Sequence, residues 1–268
     1  MVEEVWTGRW SMDLITLIPA AARAETGGTG KGIGDGRFAD SGDIFSDIDR
    51  ALSYSPRHLS LYGLTAEPGT RFGNKVQAGR VTLPEEGDAQ ELLSRQWGRL
   101  EEAGFRHYEV SNFAVTGEDE SLHNKRYWRL DPYLGVGPSA VSTLPGTGGP
   151  VRVRFSPEIG TYHSSASNRL EIELISPYSF LLEHFLTALR TSEGFSFSRI
   201  ADRFGTPQAR RLRRILEPKL AGYEKSGFIN RGADGFSATD EGLMILDSLL
   251  LDISGEIDEV TVENVRFC

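Results

Sequence analysis

Apolar and polar positions alternate between two rhythms over the first 110 residues. MDLITLIP (12–19) is a short apolar run stopped by proline and reads as a buried strand. In DIFSDIDRALSYS (43–55), Ile44, Ile48 and Leu52 recur at helical spacing. RHLSLYGL (57–64) reads as a second strand. LPEEGDAQELLSRQWGRLEEAGF (83–105) predicts a helix, with Pro84 and the glutamates in its first turn and Gly104 at its end. RHYEV (106–110) predicts the next strand. Strands alternating with helices imply an α/β fold with a parallel sheet and right-handed crossovers. Chemistry in such sheets sits on loops beyond the carboxyl ends of strands. LTAEPG, SNFA and GVGPSAVS fall at or near such ends.

After GTGGP (146–150) the pattern becomes mostly helical. Leu181, Leu182, Phe185 and Leu189 share one helical face, and TPQARRLRRILEPKLAGYEKSGFI continues the helical spacing. Phe228, Ile229 and Phe236 flank a short predicted hairpin, and Thr239 is a good cap for a last helix. Helices, a hairpin and a final helix predict a winged-helix-like module. The expected division is therefore 1–148, with a Gly-rich loop over 20–42, and 149–268. The segment 26–42 carries too little apolar surface to offset its ordering entropy and is expected to be mobile. It is not a phosphate loop: Glu25 stands where that motif needs its first glycine, and Gly32 where it needs Ser or Thr.

Composition narrows the function classes. The chain has 268 residues, 39% of them apolar, and a formal net charge of −9. That charge argues against nucleic acid as a partner, and ARRLRRIL (209–216) is read as a solvated basic face. No apolar run is long enough to cross a bilayer, and the acidic N-terminus does not read as a signal peptide. The single cysteine, Cys268, rules out an internal disulfide framework, so a cytoplasmic location is expected.

Seven stretches then occur in a telling order: MDLITLIP, PRHLSLYGLTAEPGTRF, LPEE, GFRHYEVSNFA, HNKRYW, YLGVGPSAVS and LRTSEGFS. Together they resemble the oxygen-independent coproporphyrinogen III oxidase family of radical S-adenosylmethionine proteins, and most closely its haem-chaperone branch, in which an HNxxYW pattern is typical. The resemblance spans residues 12–18 and 43–253. It implies the later part of a (β/α)6 partial barrel followed by a C-terminal, mostly helical domain. It also implies S-adenosylmethionine and a 4Fe–4S cluster as cofactors. The cluster needs three thiolates at CxxxCxxC spacing, a set this sequence lacks, so no cluster and no radical activity of this chain alone is expected.

Three positions match the family's S-adenosylmethionine contacts. Asp13 matches a carboxylate facing a cofactor hydroxyl or amine, Thr65 a small side chain beside the cofactor, and Val141 an apolar contact to adenine. The family's DLIxGLPGQT reads DLITLIPAAA here, so the loop after Asp13 has lost its glycine and glutamine.

In HNKRYW, His123 and Tyr127 are four apart, and a helical turn would put them on one face with Trp128 beside them. An imidazole can ligate haem iron and flat aromatics can stack on a porphyrin. His123, Asn124, Tyr127 and Trp128 are therefore candidate haem or substrate contacts. The competing reading is a structural cap, with His123 and Asn124 bonding the loop backbone. Glu109 and Asn112 in EVSNFA either orient a substrate or cap a turn. Gly135, Gly137 and Pro138 give a backbone suited to close approach, by a ligand or by the chain itself.

The expected function is that of a coproporphyrinogen III oxidase-like protein or haem chaperone without its own radical chemistry. The alternatives are a cluster-free haem-binding module and an interaction scaffold. Expected partners are haem or porphyrin, with a separately encoded N-terminal half or self-association as further possibilities.

Overall fold

The computed structural model describes residues 11–16, 41–159 and 170–257. The segment 26–42 lies almost wholly outside them. Chain contacts divide the protein into two units, Met1–Glu120 and Ser121–Cys268.

In the first unit the five expected elements form close to their predicted places, joined by a helix over Arg71–Gln77 and a strand over Asn112–Ala114 that the pattern did not predict. Together they are β1 (Ser11–Thr16), α1 (Ser41–Ser53), β2 (His58–Gly63), α2 (Arg71–Gln77), α3 (Glu86–Glu102), β3 (Arg106–Glu109) and β4 (Asn112–Ala114). β1 and β2 are parallel, with Asp13 level with Ser60. The sheet is not wholly parallel, however. Its order is β1-β2-β4-β3, and β4 runs antiparallel to both its neighbours. The cause is the tight connection between Glu109 and Asn112, far too short for a crossover. The chain folds back at once and slots β4 between β2 and β3, with the Leu61 amide donating to the Ser111 carbonyl at 2.7 Å. Among the described residues the sheet stays open at β1 and β3. Leu59, Leu61, Trp97, Leu100 and Phe113 are buried between the sheet and its helices.

The second unit starts with the short helix α4 (Leu122–Trp128) and an antiparallel sheet of β5 (Val141–Leu144), β6 (Val151–Phe155) and β7 (Leu170–Leu174). Then come α5 (Pro177–Ala188), β8 (Phe195–Ser196), α6 (Phe197–Phe204), α7 (Thr206–Lys225), β9 (Ile229–Arg231), β10 (Gly235–Ala238), α8 (Asp240–Met244) and α9 (Leu246–Ser254). The β9–β10 hairpin pairs with β8, giving the winged-helix arrangement the hydrophobic pattern predicted. Ser176, Ser196 and Thr239 cap α5, α6 and α8 with their hydroxyls. The core is aromatic at its centre, where Phe185 stacks on Phe195 at 4.1 Å within a cluster that includes Phe180, Ile200, Leu212, Leu216 and Leu249. Burying each of those side chains is worth roughly 1.5–3 kcal/mol. No helix among the described residues is long and apolar enough to cross a membrane.

Candidate functional site

HNKRYW folds as the helix α4. Ser121 starts it, accepting from the Asn124 amide at 3.2 Å. Helical spacing does bring His123 and Tyr127 together: their rings meet edge to face at 4.9 Å. Tyr133 extends the row, its ring 4.7 Å from Tyr127. Tyr133 is in turn fixed to β5, exchanging backbone hydrogen bonds with Thr143 at 2.9 and 3.0 Å. The two family-like stretches, HNKRYW and YLGVGPSAVS, are thus joined through Tyr133, the first residue of the second stretch, which belongs to its motif but was not among the candidate site residues.

His123 and Tyr127 are exposed, Tyr127 at 40%. Leu122, Leu134 and Val136 are 77%, 72% and 80% exposed, a large apolar display for a helix and turn this short. Asn124 is half-buried in the first turn. Trp128 is half-buried, and its indole N–H is buried with no hydrogen-bond partner among the described residues. The outward row is therefore His123–Tyr127–Tyr133, with Trp128 turned inward beside it.

The turn GVGPSAVS owes its first glycine to its own backbone. A Cβ on Gly135 would lie 2.2 Å from the Val141 carbonyl oxygen. The Gly135 amide donates to the Ser142 hydroxyl at 3.0 Å. Gly137 has φ of 114°, with open space around the missing Cβ. Val141 begins β5, half-buried and opposite Arg154.

The face is held by charge. Glu193, in the loop after α5, accepts from Arg129 Nε at 3.2 Å and Nη2 at 2.5 Å, and from Arg199 at 3.0 Å, with Lys125 at 3.5 Å. The bond from Arg129, followed by that from Arg199 and the nearby Lys125 charge, holds the Glu193 carboxyl down at about 2, against a smaller opposing effect of burial. Arg203 donates to the Arg129 carbonyl at 3.1 Å and lies over the Phe180 ring at 5.2 Å.

The first unit holds Asp13 and Thr65. Both are exposed, Asp13 within β1 and Thr65 beyond Gly63, the last paired residue of β2. Its buried polar groups lie elsewhere. His58 Nε2 is 2.8 Å from the Tyr108 hydroxyl, and the Asn112 amide donates to the Glu109 carboxylate across the β3–β4 turn. Burial pushes the His58 imidazole down, while the Asp13 and Asp119 carboxylates pull it partly back. Asp119 is held by Arg57 at 2.8 Å and by Thr116, and Thr116 first, then Arg57, keeps its carboxyl low. Glu109 and Asn112 thus close a turn on each other.

A 4Fe–4S cluster does not fit these residues. The sequence has one cysteine, outside the described residues, and no described group of three or more His, Cys, Asp or Glu side chains is placed to hold a metal ion.

Residues 175–245 match the model of the HemN C-terminal domain. The chain is 31% identical over 209 residues to the heme chaperone HemW of Synechocystis sp., covering 76% of this chain and 45% of that protein. It is 30% identical over 216 residues to the heme chaperone HemW of Bacillus subtilis, covering 78% and 54%. It is 31% identical over 277 residues to the radical S-adenosyl methionine domain-containing protein 1, mitochondrial, of Bos taurus, covering 96% and 55%. The chain thus spans about half the length of the curated relatives it matches. A solved structure, the coproporphyrinogen III oxidase HemN from Escherichia coli, described as a radical SAM enzyme, superposes with a TM-score of 0.60 at 16% identity. That superposition covers 92% of this chain and 55% of HemN.

Proposed function

We propose, for a chain that belongs to the HemN/HemW family of radical S-adenosylmethionine proteins, that its role is to bind haem as cargo on the outward face of α4. The observation that carries the reading is the ring row of exposed His123 and Tyr127 with half-buried Tyr133, flanked by exposed Leu122, Leu134 and Val136. A flat macrocycle is mostly apolar, so aromatic and aliphatic side chains supply the contact area, and a ring nitrogen of His123 supplies the iron ligand. Arg126, exposed on the same short helix, offers a cationic partner for a propionate. Relatives named heme chaperone support this reading.

Haem chaperoning requires binding and release, and neither needs the radical step. In the family the cluster and S-adenosylmethionine would supply electron transfer and a radical. These 268 residues lack the thiolates to hold that cluster. Asp13 and Thr65, in the first unit, are proposed as S-adenosylmethionine contacts by their match to the family, and Val141, in the second, by its own match. The site of action is proposed to be the cytoplasm.

The test is a haem titration of the purified chain and of His123→Ala, followed by absorbance. The variant should lose at least about tenfold in affinity, roughly 1.4 kcal/mol. Its melting temperature should stay close to that of the wild type, since His123 is exposed and its ring packs on Tyr127. An unfolded variant, or unchanged haem affinity, would make α4 a structural cap and sink the reading.

A further inference from the structure

The haem-binding reading leaves open what keeps so short a helix in place. Helix α4 has seven residues and none of them is buried. Isolated helices of that length do not persist in water, because nucleation costs more than one or two turns return. The ring row needs a fixed backbone nevertheless, because His123, Tyr127 and Tyr133 meet only in one orientation of the helix. Ser121 caps the N-terminus, but a cap fixes a helix start and not its direction.

The C-terminal turn is where the helix is anchored. Arg129, its C-cap residue, reaches Glu193 with two of its guanidinium nitrogens, Nε and Nη2. Lys125, one turn earlier, approaches the same carboxylate at 3.5 Å. The Arg129 carbonyl accepts from Arg203, whose guanidinium lies over Phe180 in the aromatic core. Glu193 lies in the loop between α5 and β8, within residues 175–245, and also receives Arg199 from α6. One carboxylate therefore gathers two cations from α4 and one from the winged-helix module.

An ordinary surface ion pair is worth little, because solvent screens it and side-chain entropy opposes it. This one differs in geometry. The Arg129 contact is a two-point fork, the Glu193 side chain is 34% exposed, and Arg199 fixes it from a second side. Removing Glu193 would also take from Lys125, Arg129 and Arg199 the carboxylate they share.

We infer that Glu193 is a positioning residue: it locks the HNKRYW helix to the C-terminal helical module, so that the ring row stands preformed for haem. The inference rests on the haem reading for its purpose, but not for its test. A nitroxide label at Leu122→Cys, in a Cys268→Ser background, reports the motion of α4 directly, because Leu122 is 77% exposed. In Glu193→Ala the label should loosen, with sharper resonance lines. Haem affinity should fall roughly tenfold, and Arg129→Ala should do the same. The double variant should be no weaker than the worse single one, because both remove one clamp. Glu193→Gln keeps an acceptor without the charge and should fall between. If Glu193→Ala does not fold, the Gln variant decides alone.

An unchanged label with haem affinity like the wild type's would overturn the inference, as would full additivity of the two alanine variants. If the wild type takes up no haem while the label loosens in Glu193→Ala, the clamp stands and the haem reading falls.

Discussion

His184 is the most perturbed side chain in the helical module. It is 5% exposed, packed edge to face on Phe180 at 5.1 Å, and its Nε2 has no hydrogen-bond partner among the described residues. Burial first, and then the Arg203 and Arg199 charges, push its imidazole from 6.5 down to about 3. The folded protein thus keeps His184 neutral across the physiological range. The unfolded chain takes up a proton below about pH 6.5 that the folded chain refuses until about pH 3. His184 therefore costs stability progressively as pH falls through that window, and nothing above it. His184→Phe should retain the ring contact, and its melting temperature should fall less steeply than the wild type's between pH 6.5 and 4. Parallel curves for the two proteins would show that the imidazole is not held neutral. Glu193 acts in the adjoining range: its carboxyl is held low, so its clamp is intact above the ordinary carboxylate range and fails as pH drops toward about 2.

Elements whose signal is local were legible in the sequence, and elements set by pairing were not. Helix α3 announced itself with Pro84, acidic residues and a closing glycine, and formed over Glu86–Glu102. Helix α2 was missed, although Thr70 caps it by accepting from the Gly73 amide at 2.9 Å, because its seven residues carry too short an apolar pattern. Strand β4 was missed because only the three-dimensional sheet shows that it inserts between β2 and β3. In the candidate site, the His123–Tyr127 pair followed from helical spacing, whereas Tyr133 and Glu193 reach α4 through pairing and charge that no local pattern reports. Strand β7 carries a prediction of its own. It reads LEIEL at the edge of its sheet among the described residues, with Ile172 65% and Leu174 78% exposed. Antiparallel self-pairing about Ile172 would set Glu171 of one copy against Glu173 of the other, and like charges directly opposed are destabilising. The glutamates thus guard an apolar edge. Glu173→Lys should turn both repulsions into attractions and raise the dimer fraction over the wild type's in light scattering at equal concentration. A variant no more associated than the wild type would show that this edge is not available for pairing.

At the scale of the molecule, two units carry different parts of the family's design. The first holds a four-stranded sheet with Asp13 and Thr65 exposed upon it. The second holds the winged-helix module, the helix α4 and the ring row that Glu193 secures. The second unit assembles its own candidate site, while the sequence supplies one cysteine where a cubane cluster demands several. Haem binding at α4 is the function proposed for these residues, and it can be tested in solution. The decisive measurement is a haem titration, followed by absorbance, of the chain after anaerobic treatment with iron and sulfide. The account predicts a haem band that saturates near one equivalent and no iron–sulfur absorption beforehand. A broad iron–sulfur band with about four irons per chain, and haem spectra no different from those of free haem, would contradict it.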